Sequence, residues 1–127
     1  MPLSVLIEEK QEGCFRVTPS GSIDSITYTE FEKKLKPILE SSPKSIVIDM
    51  SEVRYVSSLG LNAILKTKKA MEQAGATLIL TKLQPQVKKV FDIVAALPNM
   101  NVFESIEEAD AYLSKMQEDE LKKRKPE

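Results

Sequence analysis

Two short apolar runs, Leu3 to Glu8 and Phe15 to Thr18, read as strands, and the link between them through Gln11, Glu12 and Gly13 is polar and ends in glycine. They predict an N-terminal hairpin. After Gly21 the period lengthens. Tyr28, Phe31, Leu35, Ile38 and Leu39 recur at three, four, three and one, which draws one apolar stripe along a helix, with Thr27 and Glu30 as a capping box at its start. Pro43 follows that helix, and Ser45 to Met50 (SIVIDM) is a β-branched run of the kind covered on both faces, which makes it the expected central strand. Ser51 to Ser57 reads as a linker. Leu61, Ile64, Leu65 and Met71 then mark one side of a second helix, closed by Gly75 as C-terminal cap within Ala74-Gly75-Ala76, and Thr77 to Thr81 is the next strand.

Pro85 suits the first turn of a third helix carrying Val87, Val90, Phe91 and Val94, and Pro98 stops it. Asn101 to Phe103 is expected as a short strand. Ser105 and Glu108 form a second capping box ahead of a last helix, with Ile106, Ala109, Tyr112, Leu113 and Met116 facing inward. Strands alternating with helices imply an α/β layer fold. From Gln117 onward apolar residues nearly vanish, while Glu118 and Lys122, Asp119 and Lys123, and Glu120 and Arg124 place acids four residues before bases. Residues 1–116 are therefore expected as one domain and 117–127 as a charged tail, either a frayed solvated end or an extension of the last helix.

Composition narrows the function. With 127 residues, 42% of them hydrophobic, the chain can bury one core. Eighteen basic residues against 19 acidic ones leave a net charge of -1, so no field draws in nucleic acid or an anionic membrane. Cys14 is the lone cysteine and there is no histidine, which removes internal disulfides and the usual soft metal ligands. Cys14, with no activating neighbour in sequence, is expected to be an inert thiol. Lys66, Lys68, Lys69, Lys88 and Lys89 lie off the apolar stripes and read as solvated surface. Met1 to Lys10 lacks a basic start and carries Glu8 and Glu9, and no apolar run approaches the ~20 residues of a membrane span. A cytoplasmic protein without membrane insertion, metal or cofactor is expected.

Catalysis is not. No phosphate loop of the form Gly-x-x-x-x-Gly-Lys occurs, histidine is absent as a base, and the chain has only four glycines. Ser58 and Lys66 would lie about 12 Å apart along a helix, too far for a serine-lysine pair.

The most informative stretch runs from Asp49 to Leu61, where a buried strand ends, a loop returns and a helix begins at paired serines. A serine at a helix start meets unpaired backbone N–H groups and the positive end of the helix dipole, so a phosphate can be accepted there without refolding. Ser57 or Ser58 can equally be an ordinary N-cap. Asp24 either holds Ser22 or Thr27 in a turn or belongs to the serine site. Asp49, at a strand end, reads as a tie for the next loop's N–H groups. Gly60, in the first turn of a helix, costs about 1 kcal/mol against alanine, which calls for close approach of a partner or of a neighbouring strand.

The run Asp49-x-Ser51-x-Val53 followed by Ser57-Ser58-Leu59-Gly60-Leu61 resembles the signature of STAS domains, the anti-sigma factor antagonists. Gly21-Ser22-Ile23-Asp24 is similar to the family's glycine and acidic turn, and the stretch from Pro85 to Leu113 to its ending. The resemblance implies a mixed central sheet of about five strands with about four helices and an N-terminal hairpin. It also implies a partner switch. The unphosphorylated antagonist binds an anti-sigma factor with serine kinase activity and frees a sigma factor; phosphorylation ends that binding, and a PP2C-type phosphatase is the implied counterpart. By position Ser58 matches the phosphorylated serine, with Ser57 as runner-up, Asp24 the acidic residue near it, and Asp49 the acid closing the central strand. Ser57 stands where many members carry aspartate, and Leu59 where a small residue is usual. The expected partner surface is Asp24, Ser57, Ser58, Leu59 and Gly60, with self-association left open. A STAS scaffold or regulatory subunit of a transporter or stress-signalling assembly is the alternative.

Overall fold

Residues 3–96 and 106–123 are described by the computed structural model. Strand β1 (Ser4–Gln11) turns through Gly13, at φ 79°, into β2 (Cys14–Ile23), and the two pair antiparallel with Leu6 opposite Thr18. This is the expected hairpin, but β2 runs five residues past Thr18. Thr18-Pro19-Ser20-Gly21-Ser22 holds few strand formers. It is held by its neighbours instead: β1 on one side, and on the other β4 (Val53–Val56), parallel to it with Ile23 opposite Val56. β4 falls inside the stretch expected as a linker. Four residues are too few to show a period, and their pairing partner lies more than thirty residues back in sequence, with Val53 opposite Gly21 and Val56 opposite Ile23.

β3 (Ser45–Asp49) sits in the middle, parallel to both β2 and β5 (Thr77–Thr81), giving the order β1-β2-β3-β5 with β4 set against the far half of β2. One expectation for β3 is corrected. Ile46 and Ile48 are wholly buried, yet Val47 on the opposite face is half-buried and its neighbour Ile79 is exposed, so only one face of this strand is sealed. Isoleucine-valine-isoleucine looks the same in a strand covered once or twice.

Against the sealed face lie α1 (Tyr28–Glu40) and α2 (Ser58–Gln73), contributing Phe31, Leu35 and Ile38, and Leu61, Ile64 and Met71, to one core with Val17, Ile46 and Ile48. The expected stripes of both helices are the buried ones. Val87 and Val90 of α3 (Pro85–Ala96) and Leu113 of α4 (Ile106–Lys123) complete that core. The sheet is thus mixed, with five strands and four helices among the described residues. The strand expected at Asn101 to Phe103 and the Ser105 end of the second capping box lie outside them.

Two helix details depart from expectation. Thr27 makes no side-chain cap at α1; its hydroxyl donates to the Ser22 carbonyl instead, 2.6 Å away. Asp24 builds this turn, its carboxylate accepting from the N–H groups of Ile26 and Thr27 at 2.9 Å each. In α4, Tyr112 is 47% exposed rather than inward, and Gln117, the first residue of the expected tail, is 2% exposed. Ala109, Leu113 and Gln117 follow each other at four-residue steps, and that stripe, not Tyr112, faces the domain.

Gln117 closes an open strand edge. Its side-chain carbonyl accepts from Val56 N–H at 3.1 Å, and its amide donates to the carbonyls of Val56 at 2.9 Å and Leu113 at 3.1 Å. Gln117→Ala strands both backbone groups of Val56 in a buried position. A loss of about 2 kcal/mol or more, measured by urea unfolding, is expected, because unsatisfied buried groups cost more than a bond contributes.

Candidate functional site

The parallel ends of β2 and β4 deliver the chain to α2. Ser57 N–H donates to the Ile23 carbonyl at 3.0 Å, continuing the ladder by one bond, and Ser57 itself is extended, at φ -86° and ψ 177°. Its hydroxyl then accepts from Gly60 N–H at 3.2 Å, so Ser57 is the N-cap of α2 and Ser58 its first helical residue.

Ser58 is 8% exposed, and both of its polar groups point to one atom. Its N–H and its hydroxyl donate to Oδ1 of Asp110 on α4, at 2.8 Å and 2.7 Å. The anion position that this helix start offers is therefore held by a carboxylate of the same chain. Asp110 was not legible as a site residue, since it lies 52 positions from Ser58.

Gly60 has its cause inside the domain. A Cβ there would stand 2.0 Å from the carbonyl oxygen of Ile23 and 2.7 Å from its carbon. The last carbonyl of β2 abuts the first turn of α2, and only glycine leaves room. Leu59, next to it, is half-buried. Ser57 and Gly60 are thus assembled on Ile23, with Ser58 carried between them and Asp24 the next residue after Ile23.

The Asp24 carboxylate also lies 3.1 Å from the Thr27 hydroxyl, whose one proton is shared between it and the nearer Ser22 carbonyl. Partial burial, the largest single influence, pushes its pKa up, but bonds from Thr27 and Ile26 outweigh it and carry the group below its ordinary value. Asp24 is in this way a turn builder beside the serines. The turn it shapes projects Ile26, 82% exposed, an apolar residue that no period in the sequence singled out.

Asp49 closes β3 and holds the start of the next loop, accepting from Ser51 N–H at 3.0 Å and from Arg16 Nη2 at 2.8 Å, with Lys82 Nζ at 3.7 Å. The Ser51 hydroxyl, the Arg16 guanidinium and the Ser51 N–H hold its carboxyl well below the usual carboxylate range. Because the folded-state pKa lies below the unfolded one, near ~3.9, these bonds stabilise the fold above that pH and are lost as pH falls through the folded value. Asp49→Asn is expected to cost about 1–2 kcal/mol at pH 7 and progressively less as pH falls below ~3.9, flattening the acid limb of a stability-versus-pH curve.

Among the described residues no group of three or more histidine, cysteine, aspartate or glutamate side chains could hold a metal ion. No helix among them is long and apolar enough to cross a membrane.

The sequence model of the STAS domain matches residues 6–109, and the chain belongs to that family. It is similar to a Bordetella bronchiseptica protein named as an anti-sigma factor antagonist, BtrV, with 29% identity over 106 residues, covering 84% of this chain and 91% of the relative. In fold it resembles the anti-sigma factor antagonist SpoIIAA in its unphosphorylated form, at a TM-score of 0.65 and 17% identity over 72% of this chain and 81% of that one. The same fold forms part of the murine Slc26a9 anion transporter, at a TM-score of 0.59 and 18% identity, covering 90% of this chain and 22% of that one.

Proposed function

We propose that this chain is an anti-sigma factor antagonist that works as a phosphorylation switch. Unphosphorylated, it binds an anti-sigma factor that is also a serine kinase, and a sigma factor is released. Phosphate on Ser58 ends the binding, and a PP2C-type phosphatase restores it. The observation that carries this is the start of α2, where Ser58 presents a hydroxyl and an N–H to an anion already in place. Similarity to BtrV along nearly the whole of that relative supports the sigma-factor setting.

Residues of the surface divide by exposure. Ile26 and Leu59 offer apolar contact beside the acidic turn of Asp24, while Ser57 and Gly60, both buried, act by setting the backbone that carries Ser58. Ile26→Asp is expected to weaken the partner complex about tenfold or more in a calorimetric titration, as loss of an exposed apolar anchor does, with thermal unfolding unchanged.

The assignment of Ser58 is tested by incubating the chain with ATP and a purified kinase-type anti-sigma factor from the same genome, then measuring intact mass. One phosphate is expected on the native chain and none on Ser58→Ala. A phosphate that persists in Ser58→Ala moves the acceptor elsewhere, first to Ser57.

A further inference from the structure

Three polar residues of α4 face the β4–α2 junction from one side of the helix. Asp110 binds Ser58, Ser114 shares a 2.6 Å hydrogen bond with the Tyr55 hydroxyl, and Gln117 binds Val56. Steps of four and three keep them on one helical face. The two ends of this seam differ in depth. Gln117 and Leu113 are 2% and 1% exposed, whereas Asp110 is only half-buried. Its grip at the amino-terminal end is a pair of hydrogen bonds from Ser58 to one carboxylate oxygen.

We infer that Asp110 is a latch over the serine. Its carboxylate holds the Ser58 hydroxyl and the α2 amide, so the amino-terminal half of α4 lifts before Ser58 accepts a phosphoryl group and does not reseat while the phosphate stays. This inference rests on Ser58 being the acceptor. For transfer, the bond from Ser58 Oγ to the γ-phosphorus of ATP forms as the bond from that phosphorus to the bridging oxygen breaks, leaving ADP, and the hydroxyl proton passes to a base on the kinase. An in-line approach needs the space beside Oγ that Asp110 now fills at 2.7 Å. After transfer, a group bearing about -1.5 to -2 charges stands where the hydroxyl stood. It competes with the Asp110 carboxylate for the Ser58 N–H at the start of α2 and repels it. Leu113 and Gln117 keep the rest of α4 seated, so the opening is confined to the Asp110 end.

The test uses the full chain with phosphoserine incorporated at position 58 during translation, so that no kinase is needed. Amide hydrogen exchange is compared with that of the unmodified chain. Peptides covering residues 107–112 are expected to exchange about tenfold faster in the phosphorylated chain, while those covering α1 and β3 stay unchanged. Asp110→Asn, whose amide can donate to the phosphate, is expected to shrink that difference, and Asp110→Ala in the unmodified chain to reproduce it. Equal exchange of α4 in the two chains overturns the latch, as does faster exchange spread evenly over the whole domain. Failure of the kinase assay on Ser58, with local opening still seen here, overturns the switch and leaves the contact intact.

Discussion

Gly60→Ala is expected to destabilise the domain by about 3 kcal/mol or more, the upper part of the range for overpacking a fixed site. Helix propensity alone predicts the reverse, a gain of about 1 kcal/mol for alanine in a helix. Sterics win because the obstruction is backbone on both sides. The added methyl would sit 2.0 Å from the Ile23 carbonyl oxygen, and that oxygen already accepts from Ser57 N–H while Ile23 pairs with Val56. Relief requires β2 and the start of α2 to part, which breaks the ladder that delivers Ser58. Gly75→Ala makes the control. At φ 78° it is strained, but nothing lies within 4 Å of its would-be Cβ, so only the smaller conformational cost of about 1 kcal/mol applies. Urea unfolding midpoints compare the two, and a Gly60 variant as stable as the native chain would show that the strand and the helix are not locked together.

The same glycine shows what could be read in the sequence. Its place in a helix stands out, and a neighbouring strand was one of two expected causes, but which strand depends on a contact between positions far apart. Local regularities were legible: the hairpin, the stripes of α1 and α2, and β5 all rest on contacts or periods within a few residues. β4 and the far half of β2 were not, because each is held by the other: Val53 to Val56 has strand-forming residues but is too short to show a period, and the far half of β2 holds few strand formers. Asp24 and Thr27 both can cap or build a turn, and only the path of the chain from Ile23 decides in favour of Asp24. Gln117 looked like the first residue of a polar tail, since nothing nearby in sequence tells of the open edge at Val56. The serine pair and its surrounding signature pointed to the family, while Asp110, on which the geometry of Ser58 depends, carried no signal at all.

Replacing Ser58 by aspartate or glutamate should lower affinity for the kinase-type anti-sigma factor by about a hundredfold or more, near 2.7 kcal/mol at 1.36 kcal/mol per decade, with the fold retained. Ser58→Ala should bind almost as the native chain does and be blind to ATP. The contrast follows from where charge is added. Alanine removes one hydroxyl bond to Asp110 but leaves the bond from its own N–H, which belongs to the backbone, so α4 stays in place. A carboxylate at position 58 instead puts two acids at one helix start, whose few N–H groups suffice for one. The surplus charge, on whichever of the two acids the helix start releases, is then left at the surface proposed to meet the partner. There it must be stripped of water or leave the contact incomplete, and either way the complex dissociates faster. Adding Asp110→Asn removes the internal competitor and lets the new carboxylate take the amides. Binding by the double variant should then recover in part, measured by titration calorimetry with the same partner. If Ser58→Asp binds that partner as tightly as the native chain, charge at this helix start is not what the partner senses.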